Sequence, residues 1–205
     1  NTLRKKLGLQ VIQRRQYKST TLSNPQHSYA NNVLDQQFDV DKANQVWVSD
    51  ITYLKTDEGW HYLATVMDCY SRKVVGWAMD KRMTQALVTR ALMKAIALRN
   101  PSKGLIHHSD RGSQYTSKRY QKLLLQHGMI ASMSSQGCCY DNAVMERFFG
   151  SLKHEWLALV KHETRESMER DVNDYIRYYN GKRLHATLNY KTPNDYENSL
   201  INMVI

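Results

Sequence analysis

Apolar residues predominate over polar ones in three successive short stretches that begin just after Gln45, the length of strands, whose side chains change face with a period of two. V-W-V-S-D-I-T-Y-L (46–54), W-H-Y-L-A-T-V-M-D (60–68) and K-V-V-G-W-A-M (73–79) are rich in β-branched and aromatic residues, as strands are. T-D-E-G (56–59) is a hairpin turn signal and C-Y-S-R (69–72) a second turn, so the three predict an antiparallel meander. The period then lengthens to that of a helix. Leu87, Ala91, Leu92, Ala95 and Leu98 make one stripe, with Thr84 as the expected cap and Asn100-Pro101 as the stop. G-L-I-H-H (104–108) predicts a short fourth strand and S-D-R-G a turn. Thr116 or Ser117 opens a helix to about His127, and Met129 to Met133 predicts a fifth strand. Asp141 or Asn142 can cap the next helix. On it Val144, Met145, Phe148, Leu152 and Trp156 form an apolar arc, while Asn142, Glu146, Phe149 and Lys153 share another side. Thr164 caps a further helix with the stripe Met168, Val172, Tyr175, Ile176 and Tyr179, ending at Asn180-Gly181, and 182–193 is polar and turn-rich.

The order β-β-β-α-β-α-β-α predicts an α/β fold, a mixed five-stranded sheet flanked by helices. Three regions are expected. Residues 1–44 form a basic arm and linker, 45–160 the core, and 161–205 a C-terminal helix and tail packed on the core or extending it. The arm carries Arg4, Lys5, Lys6, Arg14, Arg15 and Lys18, which suit a DNA-contacting arm or a solubilising tail.

Composition narrows the partners. The chain has 205 residues, 41% of them hydrophobic, and a formal net charge of +10, which favours a polyanionic partner, nucleic acid before an anionic membrane. No apolar run of about 18 residues, the minimum for a membrane span, is present. No signal peptide is visible either. The cysteines, Cys69, Cys138 and Cys139, show no C-x-x-C spacing, so neither a disulfide framework nor a zinc site is expected, and a reducing cytosolic setting fits. The chain starts at Asn1, not Met, as expected of a piece of a longer protein.

Three acids fall at places where the predicted topology converges. Asp50 lies inside the first strand, on the face of Val46 and Val48, where an unpaired acid is costly. Asp110 follows the fourth strand and Glu146 sits on the helix after the fifth. If strands one and four lie side by side in parallel, that helix can pack across their ends and gather all three. Singly they have ordinary readings: a strand-end acid, an Asx-turn, a helix-surface ion pair with Arg147 or Lys153. Together they suit Mg²⁺, which takes carboxylates, water and phosphate oxygens. Two such ions roughly 4 Å apart can activate an attacking oxygen and stabilise a leaving one.

The blocks W-V-S-D-I-T-Y, Y-L-A-T-V-M-D-C-Y-S-R-K-V-V-G-W, H-H-S-D-R-G-S-Q-Y, S-M-S-S-Q-G, Y-D-N-A-V-M-E-R-F-F-G-S-L-K and Y-Y-N-G-K-R-L-H-A-T-L-N-Y-K-T-P run in order from about residue 46 to 193. They closely resemble the bacterial insertion-sequence transposases of the OrfB type, relatives of retroviral integrases. The interval between the second and third acids, 35 residues, is the one that family keeps. Ser49 and Cys138 stand where the family commonly has Thr and Asn. The resemblance implies an RNase H-like fold and a DDE site of Asp50, Asp110 and Glu146 holding Mg²⁺, with Mn²⁺ able to substitute. It implies cleavage of the element's ends and joining of the 3′-OH to DNA, which needs terminal inverted repeats, target DNA and at least a dimer. Lys153 is implied as a DNA contact. L-R-K-K-L-G-L resembles the end of a truncated helix-turn-helix segment, so fusion or association with an upstream helix-turn-helix protein is expected, in the bacterial cytoplasm at the nucleoid. Other expected DNA contacts are Asn142, His108, Gln114, Tyr115, Arg183, Arg14 and Arg15. Competing structural roles are capping for Asn142, packing or capping a turn for His108, packing for Tyr115, a salt bridge for Arg183 and a solubilising tail for Arg14 and Arg15.

Overall fold

The computed structural model describes residues 6–7, 29–135 and 139–201. Five strands build one sheet: β1 (Val46–Thr56), β2 (Gly59–Asp68), β3 (Val74–Asp80), β4 (Ile106–Ser109) and β5 (Ile130–Met133), in the order β3-β2-β1-β4-β5. The first three are the antiparallel meander, and β4 and β5 run parallel to β1. The helices are α1 (Gln85–Arg99), α2 (Ser113–Thr116), α3 (Lys118–Gln126), α4 (Ala143–Ser151), α5 (Arg165–Gly181) and α6 (Pro193–Ile201).

Side-chain alternation along β1 divides the core in two. Val46, Val48 and Leu54 point to a layer of α4 and α5 residues, Met145, Phe148, Met168, Val172, Tyr175 and Ile176. Trp47 points to the other layer, with Ala91 and Leu92 of α1 and Tyr120 and Leu124 of α3. A sheet covered on both faces explains why its strands read as near-continuous apolar runs. On the α1 side the packing needs a glycine. A Cβ on Gly76 of β3 would lie 2.3 Å from the Ala91 carbonyl oxygen and 2.7 Å from the Ala95 Cβ. Both obstacles belong to the helix itself, so Gly76→Ala is expected to destabilise the fold by about 3 kcal/mol, read from the midpoint of a urea titration.

Several local expectations need correction. The helix after β4 is two: Tyr115 and Thr116 lie in α2, and Ser117 caps α3 by accepting the Tyr120 N–H. Leu98 is 62% exposed, and Val88 completes the buried face of α1 instead. Thr84 and Asn142 occupy N-cap positions without a side-chain bond, whereas Thr164 accepts from the Ser167 N–H. Asp141 does not fill the cap position. Its carboxylate takes the Ser135 N–H at 2.7 Å, the Asn32 amide at 3.0 Å and the Gln36 amide at 2.9 Å, tying the loop before α4 to residues 32–36. After Ser151 the α-helix gives way to a π-helical turn, Leu152–Trp156. Beyond the polar tail, α6 is latched to the sheet by Glu197, which accepts from Ser71 Oγ at 2.7 Å, Lys73 Nζ at 3.1 Å and Arg99 Nη1 at 3.0 Å.

Candidate active site

The parallel register of β1 and β4 pairs Val46 with Ile106 and continues to Ser49 with Ser109. One residue further it sets Asp50 beside Asp110, where β4 ends and β1 runs on. Asp110 stops its strand by turning back on itself: its Oδ1 accepts the Gly112 N–H at 2.9 Å, an Asx-type turn. The turn is tight, since a Cβ on Gly112 would stand 2.9 Å from that same oxygen. Asp50 Oδ1 accepts the N–H of Ile51 at 2.7 Å. Each acid therefore has one oxygen fixed by local backbone.

The electrostatics bring the other groups together. Burial, above all, holds the Asp50 carboxyl well above the usual carboxylate range; the charge of Asp110 adds to this and that of Glu146 adds further. The Ile51 N–H and the Lys153 ammonium oppose it. Asp110 is also raised by burial, against the Gly112 N–H. Glu146, in the first turn of α4 and exposed, is raised by partial burial. Lys153, in the π-helical turn, is half-buried and lowered by burial, against the pull of Asp50. Its ammonium rests 5.1 Å from the centroid of the Tyr53 ring. Sequence periodicity predicted Lys153 from an unbroken α-helix; the π turn, and Tyr53 beneath the lysine, were not anticipated. The signal for Tyr53 was its odd position on β1, opposite in facing to Leu54.

Among the described residues, no three His, Cys, Asp or Glu side chains are already drawn together as a metal cage. The donor set nonetheless suits a hard cation. Asp50 and Asp110 offer carboxylate oxygens, Glu146 lies within electrostatic reach, and the like charge crowded onto Asp50 is what a divalent ion would offset.

Two family models match, both described as integrase core domain, over residues 40–139 and 146–201. The transposase for insertion sequence element IS904 of Lactococcus lactis is 45% identical over 181 residues, covering 88% of this chain and 69% of the relative. The chain belongs to the insertion-sequence transposases. Transposase InsF for insertion sequence IS3A of Escherichia coli is 46% identical over 170 residues, 82% of this chain and 59% of its own length. Among solved structures, the fold recurs in a chain of the simian T-cell lymphotropic virus intasome in complex with PP2A regulatory subunit B56 gamma. It aligns with TM-score 0.68 at 21% identity, covering 85% of this chain and 60% of that one. The HTLV-2 integrase catalytic core in complex with magnesium aligns with TM-score 0.60 at 19% identity, covering 76% of this chain and 97% of that one. The transposase fold is thus that of the integrase cores, RNase H-like.

In this transposase several expected DNA contacts have other occupations. His108 is fully buried, and its ring nitrogens face Ser132 Oγ at 2.9 Å and Ser134 Oγ at 3.2 Å, so it has no nitrogen left for a phosphate. Burial pushes its pKa down to about 4. His107 packs likewise between Ser49 Oγ, 2.9 Å away, and the Tyr120 hydroxyl, 3.1 Å away. Tyr115 is 2% exposed, stacked edge-on against Tyr120, and does not reach the surface. Arg183 spends its guanidinium on Glu155, at 2.7 and 2.6 Å, the salt bridge that competed with phosphate binding. Asn142 is buried, with an Oδ1 that meets no protein donor. Gln114 is half-buried and donates to the Met83 carbonyl at 3.1 Å. Arg14 and Arg15 lie outside the described residues, as do Cys138 and, apart from residues 6–7, the helix-turn-helix remnant.

Proposed function

We propose that Asp50, Asp110 and Glu146 are the catalytic acids of this transposase and hold two Mg²⁺ ions, with Mn²⁺ able to replace them. The observation that carries the reading is the adjacency of Asp50 and Asp110 across the parallel β1–β4 register, with Glu146 and Lys153 in electrostatic reach. The bound ions supply Lewis-acid chemistry, polarising the scissile phosphate and favouring loss of the proton from the attacking hydroxyl. Asp50, through the carboxylate oxygen that is not tied to Ile51, would hold the ions together with Asp110 and Glu146. Lys153 holds a phosphate beside the acids, offsetting their repulsion of DNA, and Gln114 and Asn142 orient the strand nearby. In the reaction water attacks the phosphodiester at the element's end, leaving a 3′-OH and a 5′-phosphate; that 3′-oxygen, giving up its proton, then attacks a second phosphodiester and forms a new P–O bond as the displaced 3′-oxygen leaves and takes a proton. No covalent protein intermediate is needed.

Residues 45–160 are read as the catalytic core, 161–205 as its C-terminal support and 1–44 as a basic arm ending a helix-turn-helix region. Pairing two element ends calls for at least a dimer on DNA, and the work is assigned to the bacterial cytoplasm. No helix among the described residues is long and apolar enough to cross a membrane. The test is strand cleavage and joining on short DNA carrying candidate ends, with Mg²⁺, Mn²⁺ or chelator. Joined products that vanish with chelator are expected; cleavage without joining identifies a nuclease on the same fold.

A further inference from the structure

β4 pairs with β1 only as far as Ser49, so the stretch of β1 beyond Asp50 has no strand on that side. Facing this open edge is the segment that follows the π-helical turn. Between them lies a cleft of about 490 Å³, lined by Tyr53, Lys55, Trp60, Lys153, Val160 and Lys161. Lys153, one of the lining residues, also lies within electrostatic reach of Asp50, so the cleft neighbours the proposed catalytic acids without being lined by them.

Two large aromatic rings stand at the surface here without a core to fill. Tyr53 is 38% exposed and Trp60 49% exposed. They are neighbours on β1 and β2, their centroids 5.3 Å apart at an interplanar angle of 88°. Nearby acids are engaged by their own cations: Asp57 by Lys161 at 2.8 Å, and Glu58 by Arg165, whose backbone N–H it also accepts at 2.9 Å. Lys55 and Lys153 are left to set the sign of the cleft. Exposed rings flanked by lysines form the combination that holds single-stranded nucleic acid, with cations tracking the backbone and rings taking a base face. An acidic or phosphate-bearing chain suits the charge; a base suits the rings; the link through Lys153 to Asp50 points to the reacting strand.

We infer that Trp60 and Tyr53 form a stacking platform for an unpaired base of the DNA strand, next to the phosphate held at Asp50, Asp110 and Glu146. This deepens the transposase reading and rests on it. A strand that leaves the duplex at the cleavage point is bent away from its partner, and a captured base would hold its 3′-OH in place between cleavage and joining.

The experiment compares the full chain with Trp60→Ala and Trp60→Phe, each first checked for an unchanged melting temperature. Fluorescence polarisation reads the binding of labelled single-stranded and duplex oligodeoxynucleotides. Trp60→Ala is expected to weaken single-strand binding about tenfold, the effect of losing one base stack. Duplex affinity and the salt dependence stay as in the wild type, and Trp60→Phe recovers most of the loss. Tryptophan emission should fall when single strands bind the wild type, and respond far less in Trp60→Phe. Unchanged single-strand affinity in Trp60→Ala overturns the inference, as does an equal loss for duplex. So does sedimentation showing that Trp60→Ala dissolves a dimer while DNA affinity stays the same, which would assign the cleft to a second copy of the chain. Cleavage and joining separate the two ideas. A platform that stacks bases in a protein that never cuts leaves the inference standing without the transposase reading. Wild-type binding and joining by Trp60→Ala leaves the reading standing without the platform.

Discussion

Glu146→Gln is expected to abolish strand cleavage and joining, by at least about 10³-fold in rate, while DNA binding persists. The size follows from the chemistry: a carboxylate that completes a cation site supports several kcal/mol of transition-state charge stabilisation, and each 1.4 kcal/mol is about tenfold. The retention of binding follows from the structure. Glu146 is exposed, in the first turn of α4, and glutamine matches its shape, so the helix and the Phe148 packing beneath it do not change. Removing a negative charge near Asp50 also favours DNA phosphates slightly. The check is a gel assay of end cleavage and strand joining alongside polarisation binding, in Mg²⁺ and Mn²⁺. Undiminished products from the variant would remove Glu146 from the site. Loss of binding in step with loss of products would assign it to DNA contact instead. Asp110→Asn should give the same pattern, although its Gly112 bond is kept by either side chain.

Most of the fold was legible because its signals are local. The β-branched and aromatic stretches, the T-D-E-G turn and the cap at Thr164 each act over a few residues, and the structure meets them within one or two positions. The adjacency of the two aspartates was legible for a different reason. A short strand before Asp110 and a parallel crossover leave few registers, and the one observed aligns Ser49 with Ser109. What stayed hidden depends on three-dimensional accounting. Nothing in Leu152–Trp156 announces a π turn; Leu152 at its start and Leu157 just past its end are both buried. His108 looked available because it neighbours Asp110; only the serines of β5 and the loop after it reveal that both nitrogens are taken. Asp141 looked like a cap from its place in the chain, yet its bonds go to Asn32 and Gln36, over a hundred residues away in sequence. The exposure of Trp60 was equally invisible, since a strand tryptophan ordinarily fills a core.

Asp50→Asn should raise thermal stability at neutral pH when a chelator is present, although it destroys the proposed site. Asp50 keeps its carboxyl protonated to higher pH in the folded chain than in the unfolded one, where it titrates near 4. Between those limits the folded state binds the extra proton, so this group's contribution is full below about pH 4 and is lost as pH rises through the folded value. As pH rises above the unfolded value, keeping Asp50 in the fold costs stability, whether as a proton the unfolded chain has already released or as a buried charge facing Asp110 and Glu146 with Lys153 as its counterweight. Asparagine removes that charge and can still accept the Ile51 N–H. The melting temperature should rise by roughly 3 °C or more, which about 1 kcal/mol produces in a domain of this size, and the difference should shrink towards pH 4. His107 and His108 tilt the profile the other way. Burial lowers them to about 3 and about 4, so their contribution is present above the unfolded value and lost as pH falls through the folded ones. Both histidines are common to the two proteins, so the difference between the profiles isolates Asp50. Mg²⁺ then reverses the order: it should stabilise the wild type in a concentration-dependent way and leave Asp50→Asn nearly unmoved, since an ion that binds only the folded chain raises its stability by mass action. A variant less stable than the wild type at pH 7 in chelator would mean that the Asp50 charge is already compensated in the metal-free fold. An equal response of both proteins to Mg²⁺ would mean that the ion binds elsewhere.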